Sequence, residues 1–171
     1  MKNSDTAVVA AIADGYRLLS ACFYEPEAAF SEEDLFGQLA DALAVCAPQI
    51  QGKAVLLRRG FHEETLEGLL LDYTRLFLGP YGLLANPYGS CYLDGEKIVM
   101  GDSTMNAKAC YQRLGFEPAA DFKEMPDHVA VELEFLYLVN FRKAEARAAG
   151  NLTAVTEFES LQRAFLQNHL G

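Results

Sequence analysis

The sequence contains no tryptophan and has little positive charge for its length of 171 residues. Lysine and arginine together number 14, against 24 aspartate and glutamate residues, so the formal net charge is −10. Nucleic-acid binding depends on clustered lysine and arginine, and this balance therefore argues against a nucleic-acid partner. The acidic balance fits a partner that carries a basic segment, although such a surface also serves solubility alone.

Long apolar runs are also absent. No stretch approaches the roughly 18 uninterrupted apolar residues of a membrane span, and the first residues lack the pattern of a secretory signal. The four cysteines are scattered, with no Cys-x-x-Cys pair and no zinc-like Cys/His spacing. We therefore expect one domain over residues 1–171, located in the cytoplasm, with no stable membrane insertion and no cofactor of its own.

Apolar residues recur at helical spacing along most of the chain, and no alternating strand pattern is convincing. Ser4 or Asp5 is expected to cap the first helix, and Ser31 the second. Later helices are expected over His62–Leu78, from Asp102 or Ser103 to Leu114, from about Pro126 to Ala149, and after Gly150.

The segment from Pro80 to Asp102 is the longest one without a helical pattern. It is rich in glycine and proline but too apolar for a solvated linker, and Lys97–Met100 is its one possible extended piece. Long irregular segments in compact domains are usually functional or disordered. The sequence thus predicts an all-α, single-domain helical bundle with one long loop between central helices.

The helix expected after Pro126 is apolar on several sides, which is typical of the centre of a bundle. It opens with Asp127 and His128, and an acidic residue there is favoured by the helix dipole. This polar end must meet another element, for which the long loop is the best candidate.

A peptide-binding groove is one interpretation of the residues around that loop. Its walls would be apolar and one end would be acidic, which suits a hydrophobic peptide with basic residues. The alternative for Leu76 and Phe77 is that they are ordinary core residues. The residues expected to form the groove are Tyr73, Leu76, Phe77, Pro87, Tyr88, Asp127 and His128.

Two other classes of protein stay open at this point. Asp127, His128 and Glu132 would serve a small metal- or cofactor-binding helical enzyme, but closed metal sites usually need three or four ligands at suitable spacing. Ser90 lacks the G-x-S-x-G context of a hydrolase nucleophile, and no nucleotide-binding motif is present. A structural subunit of a larger complex is the third possibility.

Four segments resemble the TorD/DmsD/NarJ family of redox-enzyme maturation chaperones. Asp72–Pro80 resembles the family segment Y-x-x-L-F-x-G-P, and Pro87–Asp94 resembles its P-[WY]-x-S-V-Y-L-D loop. Gly101–Thr104 resembles the start of the next helix, and Pro126–Phe135 resembles the signature P-D-H-x-x-x-E-L-x-F. With Tyr16–Ser20 and Phe23–Tyr24, the resemblance extends over most of the chain, and the loop is most similar to DmsD-like members.

The resemblance implies an all-helical cytoplasmic chaperone rather than an enzyme. Such proteins bind the twin-arginine signal peptide and the apo form of a molybdenum-cofactor oxidoreductase subunit, and they delay export until the cofactor is inserted. They are described as monomers and as swapped dimers. The resemblance places signal-peptide contacts on the groove residues named above. Two departures concern the client: Tyr73 and Tyr88 stand where tryptophan is common, and Cys91 replaces the usual valine.

Overall fold

The computed structural model describes residues 2–79, 83–95, 100–117 and 124–171, with side chains from Thr6 onward. These residues form nine α-helices and, within the described part, no strand beyond one isolated bridge. The predicted all-α class is therefore confirmed. The chain divides into two compact units, Met1–Asn86 and Pro87–Gly171. The assignment of one domain to residues 1–171 stays a prediction.

The first unit is built on three longer helices, of which α3 packs against both α1 and α4. Apolar side chains at helical spacing supply its core, in which Leu18 of α1 meets Leu39 and Leu43 of α3 and Ala54 of α4. The helices are α1 (Lys2–Ala21), α2 (Ala28–Glu32), α3 (Leu35–Cys46), α4 (Gln51–Glu63) and α5 (Leu66–Tyr73), with a 3₁₀ turn at Pro48–Ile50 and a π-helical turn at Thr74–Leu78.

The helix starts in this unit differ from the predicted ones. Helix α1 already begins at Lys2, so neither Ser4 nor Asp5 is its cap. Ser31 lies inside the short α2, and Asp34 caps α3 instead, because its carboxylate accepts from the Gly37 amide at 3.2 Å. A side chain at Gly37 would collide with this carboxylate, since a Cβ there would lie 2.1 Å from it.

The helix predicted over His62–Leu78 is in fact interrupted. Helix α4 ends at Glu63, and Thr65 caps a new helix by accepting from the Gly68 amide at 3.1 Å. A threonine hydroxyl that satisfies an amide of the first turn is a strong local start signal.

The second unit is organised around α8, which is buried along most of its length. Tyr111 of α7 contacts Phe135 of α8 at a ring-centroid distance of 4.8 Å, and Phe135 contacts Phe165 of α9 at the same distance. The predicted central position of this apolar helix within its bundle is thus confirmed for this unit. Its helices are α6 (Ser90–Leu93), α7 (Asp102–Arg113), α8 (Val129–Ala148) and α9 (Leu152–Phe165), followed by a π-helical turn at Leu166–Leu170.

The expected long loop contains one turn of helix, α6. Asp94, the residue that follows α6, forms hydrogen bonds with the first turn of α7. The Asp94 carboxylate accepts from the Ser103 amide at 3.0 Å and from the Ser103 hydroxyl at 2.6 Å. The N-cap residue is therefore Gly101 and the carboxylate of Asp94 supplies the capping hydrogen bonds, so the expectation of a cap at Asp102 or Ser103 was wrong. Of the extended piece expected at Lys97–Met100, all but Met100 lies outside the described residues.

Helix α8 begins at Val129, so Pro126 does not occupy its first turn as expected. Pro126 and Asp127 form a turn, and His128 is the cap, with Nδ1 accepting from the Ala130 amide at 3.2 Å. Across the described ranges, none of the helices has both the length and the apolar character that crossing a membrane requires.

Candidate functional site

The loop residues 87–90 are joined to residues 127–129 by a set of hydrogen bonds that we call the junction. The Gly89 amide donates to the Asp127 carbonyl at 2.9 Å, and the Val129 amide donates to the Pro87 carbonyl at 2.8 Å. These bonds make an isolated antiparallel bridge between Tyr88 and His128. The expected meeting of the loop with the start of α8 is confirmed.

Asp127 is completely buried at the junction, with 0% of its surface exposed. Its carboxylate Oδ2 accepts from the Ser90 amide at 2.8 Å, at the start of α6. A buried amide without an acceptor is costly, so this bond fixes the loop against α8. In this arrangement the carboxylate positions the loop and does not face solvent, whereas the sequence analysis expected it at the acidic end of an open groove.

The side chains of Tyr88 and His128 lie together at the junction. Their ring centroids are 5.3 Å apart at an interplanar angle of 77°, an edge-to-face contact. The Tyr88 hydroxyl donates to the carboxylate of Glu124. Burial lowers the pKa of His128, while the negative charges of Glu124 and Asp127 partly oppose this shift.

Tyr111 connects the junction to the aromatic core of its unit. The Tyr111 hydroxyl donates to the Pro126 carbonyl at 2.6 Å, immediately before Asp127. Because the Tyr111 ring is almost fully buried among aromatic side chains, this bond holds residue 126 at a fixed distance from the core. Sequence reasoning missed both Tyr111 and Glu124. For Tyr111 the one available signal was general: the hydroxyl of a buried tyrosine usually needs a hydrogen-bond partner.

Glu132, the third residue of the enzyme interpretation, faces another partner. Its Oε1 lies 3.3 Å from His169 Nδ1, and both side chains are buried. Burial raises the pKa of Glu132, and the contact with His169 opposes that shift. In the described ranges, no group of three or more histidine, cysteine or acidic residues is arranged to hold a metal ion. The carboxylate of Asp127 instead accepts from the Ser90 amide, and Nδ1 of His128 accepts from the Ala130 amide. Glu132 lies beside His169.

Tyr73, Leu76 and Phe77 lie in the first unit, at the end of α5 and in the π-helical turn. The centroid of the Phe77 ring lies 5.2 Å from that of Tyr73 and 6.2 Å from that of Phe23. The side chains of Tyr73 and Phe77 are half-buried. Leu76 is 40% exposed, so the interpretation of this residue as ordinary core is wrong. Leu78 and Leu84 add further exposed apolar surface in this unit. We call Tyr73, Leu76 and Phe77 the α5 face.

The structure therefore brings together Pro87, Tyr88, Asp127 and His128 at the junction in the second unit. It places Tyr73, Leu76 and Phe77 on the α5 face of the first unit. One groove shared by all seven residues stays a prediction.

These features define an all-α protein whose long loop is fastened to the start of a central helix. Its fold is similar to that of a protein from Archaeoglobus fulgidus, described as a redox enzyme maturation protein, whose crystal structure matches with a TM-score of 0.53. The match covers 91% of each chain at 24% sequence identity, and it establishes the fold alone.

The model of the nitrate reductase delta subunit family matches residues 31–171. The chain therefore belongs to this family, and the resemblance to the TorD/DmsD/NarJ family is confirmed.

Three curated relatives carry chaperone names. The Tat proofreading chaperone DmsD of Salmonella typhimurium is 35% identical over 68 residues, which are 40% of this chain and 33% of that protein. The chaperone protein TorD of Aliivibrio salmonicida is 30% identical over 58% of this chain and 43% of its own. The perchlorate reductase assembly chaperone protein of Dechloromonas aromatica is 25% identical over 85% and 65%, respectively. The chain spans between a third and two thirds of the length of these relatives.

Proposed function

We propose that this protein is a cytoplasmic chaperone, not an enzyme, for an exported molybdenum-cofactor oxidoreductase. It binds the twin-arginine signal peptide and the apo form of the catalytic subunit, and it delays export until the cofactor has been inserted. The cofactor belongs to the client, and the chaperone itself carries out no chemical step. Family membership and the chaperone names of the relatives support this role.

The observation that carries the proposal is the junction. Two family motifs that are distant in the sequence meet there, and they present Tyr88 beside His128. The half-buried Tyr88 ring offers apolar surface to a peptide, and its hydroxyl is already held by Glu124. Within the proposed site, Asp127 positions this surface and does not contact the peptide itself.

The α5 face supplies the second proposed contact. Leu76 is exposed, and its chain neighbour Phe77 packs against Tyr73 and Phe23, so the segment that carries this leucine is fixed by aromatic contacts. An apolar segment of a signal peptide gains roughly 25 cal/mol for each Å² of such surface removed from water. A preorganised surface also loses little entropy on binding.

The test measures binding of a synthetic twin-arginine leader peptide by titration calorimetry. We expect Leu76→Ala and Tyr88→Ala each to weaken binding by about five- to thirtyfold, since anchors of this kind contribute roughly 1–2 kcal/mol. Both variants should keep the wild-type helix content, because neither side chain belongs to a fully buried core.

Matched controls are available on the same units. Leu56→Ala removes a leucine of α4 that is 67% exposed, and Tyr92→Ala removes a tyrosine of α6 that is 70% exposed. Neither control should change the affinity by more than about twofold. Wild-type affinity in Leu76→Ala or Tyr88→Ala would remove that residue from the proposed site, and no binding by the wild-type protein would refute the proposal.

A further inference from the structure

An apolar groove that the sequence analysis did not predict lies entirely within the first unit. It has a volume of about 370 Å³, and its apolar lining comes from Ala28 of α2, Phe61 of α4, and Leu66 and Leu69 of α5. Leu66 is 40% exposed, so the groove presents apolar surface to solvent. This volume lies within the range of roughly 300–1,000 Å³ typical of ligand sites.

The floor of this groove is held in place from behind. The ring of Phe61 lies 5.1 Å from that of Phe36 and 6.2 Å from that of Phe30, as measured between centroids. Thr65 caps α5 directly beside the groove and so fixes the positions of the two leucines. The groove is therefore preformed and needs little reorganisation to accept a ligand.

The rim of the groove is acidic. Glu27, Glu32 and Glu64 line it together with Ser31 and His62, and all five side chains are exposed. The Nδ1 atom of His62 lies 3.5 Å from the Ser31 hydroxyl oxygen. No ion pair involving these three carboxylates occurs among the residues that the structure describes, whereas Asp34 and Glu63 of the same unit pair with Arg58 and Arg59. An apolar floor with unneutralised carboxylates at its edge complements a segment that is both cationic and apolar.

Because Asp127 is buried, a basic peptide needs another carboxylate to bind to, and this groove offers exposed ones. The carboxylate expected at the acidic end of the peptide-binding groove predicted from the sequence, that of Asp127, has no exposed surface. A guanidinium needs an accessible carboxylate, and it also stacks well on an aromatic ring. The rim glutamates and Phe61 together supply both kinds of contact.

We infer that this groove binds the arginine pair of the twin-arginine leader. The rim carboxylates accept hydrogen bonds from the guanidinium groups, and the Phe61 ring stacks on one of these groups. Leu66 and Leu69 contact the aliphatic parts of the same segment. This inference rests on the proposed function and adds to it a specific place for the cationic end of the peptide.

The experiment compares two synthetic leaders by titration calorimetry, one with the arginine pair and one with both arginines replaced by glutamine. The groove variant is Glu27→Gln/Glu32→Gln/Glu64→Gln. Its control is Asp14→Asn/Asp41→Asn/Glu67→Gln, which makes the same charge change at exposed positions of the same unit outside the groove.

We expect the groove variant to bind the arginine leader about tenfold more weakly than the wild type, while its affinity for the glutamine leader is unchanged. The control variant should stay within about twofold of the wild type for both leaders. Leu66→Ala should weaken both leaders, whereas Leu71→Ala, at a 51% exposed position of α5 outside the groove, should weaken neither. Thermal unfolding of each variant verifies that it is folded.

The two proposals fail in different ways. Equal binding of the arginine leader by the groove variant and the wild type overturns the inference, and the proposed function is retained if Leu76→Ala and Tyr88→Ala still weaken binding. An equal loss in the control variant assigns the effect to general surface charge and also overturns the inference. If the wild type is a dimer and the groove variant a monomer in sedimentation, the occupant is a second copy, which overturns it too. No wild-type binding of either leader refutes both.

Discussion

At the scale of single residues, Asp127 illustrates how a motif residue can fix the conformation of a loop from a fully buried position. Its carboxylate is fully buried and accepts from the Ser90 amide, which is itself buried. Its carbonyl accepts from the Gly89 amide. One residue thus satisfies two consecutive amides of the loop, and the loop conformation depends on it.

Substitutions of Asp127 should show whether its carboxylate positions the loop through the Ser90 hydrogen bond or attracts the leader through its charge. Asp127→Asn keeps an oxygen acceptor for Ser90, so we expect leader affinity within about threefold of the wild type. Asp127→Ala leaves the Ser90 amide without that acceptor, and it should lower the free energy of unfolding by about 1–3 kcal/mol. Urea denaturation and calorimetry measure the two quantities. A large loss of affinity in a stable Asp127→Asn protein would show direct recognition of the carboxylate charge.

His128 should make stability depend on pH. Burial lowers its pKa below the usual value of 6.5, so below that value the unfolded chain binds more protons than the folded one. A proton on Nδ1 would also abolish the acceptor that the Ala130 amide uses. The stability is therefore complete above about pH 6.5 and is lost as the pH falls toward the lowered pKa.

We expect the wild type to lose unfolding free energy between about pH 7.5 and pH 5.5, by no more than about 1.4 kcal/mol per pH unit for the one proton. His128→Asn keeps a side-chain cap but cannot titrate, so its loss over this range should be smaller. Urea denaturation at several pH values gives the difference between the two proteins. Glu132, His62 and His169 are present in both and cancel in the comparison. Parallel pH profiles would contradict this role for His128.

At the scale of secondary-structure elements, the start of α7 explains the spacing of two family segments. Asp94 ends one segment, and Gly101 and Ser103 belong to the next. The carboxylate of Asp94 reaches the Ser103 amide and hydroxyl, and a Cβ at Gly101 would lie only 2.2 Å from it. The glycine is therefore required by the close approach of the capping carboxylate.

A double-mutant cycle tests this explanation. Asp94→Ala should cost about 0.5–2 kcal/mol, the usual value of a lost helix cap. Gly101→Ala should also destabilise the protein, because its methyl group forces the carboxylate away. In the Asp94→Ala background the same glycine substitution should cost much less, since no carboxylate remains to be displaced. Additive effects in urea denaturation would show that Gly101 is needed for another reason.

The helices could be predicted where the pattern of apolar residues within them was clear. Their ends could not be predicted where the capping group or the break depends on other contacts. The long apolar α8 was recognisable because apolar residues on several sides require burial. The capping carboxylates of Asp34 and Asp94 were missed, since the sequence offered Ser31, Asp102 and Ser103 as equally good local candidates. The break at Thr65 was missed because the apolar pattern continues across it.

At the scale of the whole molecule, the net charge of −10 should affect binding of a basic leader. Raising the salt concentration from about 0.05 M to about 0.5 M shortens the screening length severalfold, so leader affinity should fall severalfold. Calorimetry across this range measures the slope, with the glutamine leader as the control. An affinity independent of salt would show that the arginines bind without electrostatic attraction.

The candidate site could be predicted as far as the loop motif and the motif at the start of α8 were expected to lie side by side. The meeting of the long loop with the start of α8 followed from the need of a polar helix start to contact another element. The burial of Asp127, the Glu124 contact and the Tyr111 anchor depend on which tertiary contacts form, and periodicity carries no information about these. The division of the chain into two compact units also carries no signal in the periodicity, and the assignment of one domain to residues 1–171 stays a prediction.

The junction has a consequence for the order of events at the ribosome. Residues 87–90 are synthesised well before residues 127–129, which hold the acceptors for Gly89 and Ser90. Until the later segment has emerged and folded, the earlier one lacks these partners, and Tyr88 has no His128 to pack against. A nascent chain therefore cannot present this surface, and only a protein translated through the start of α8 has it.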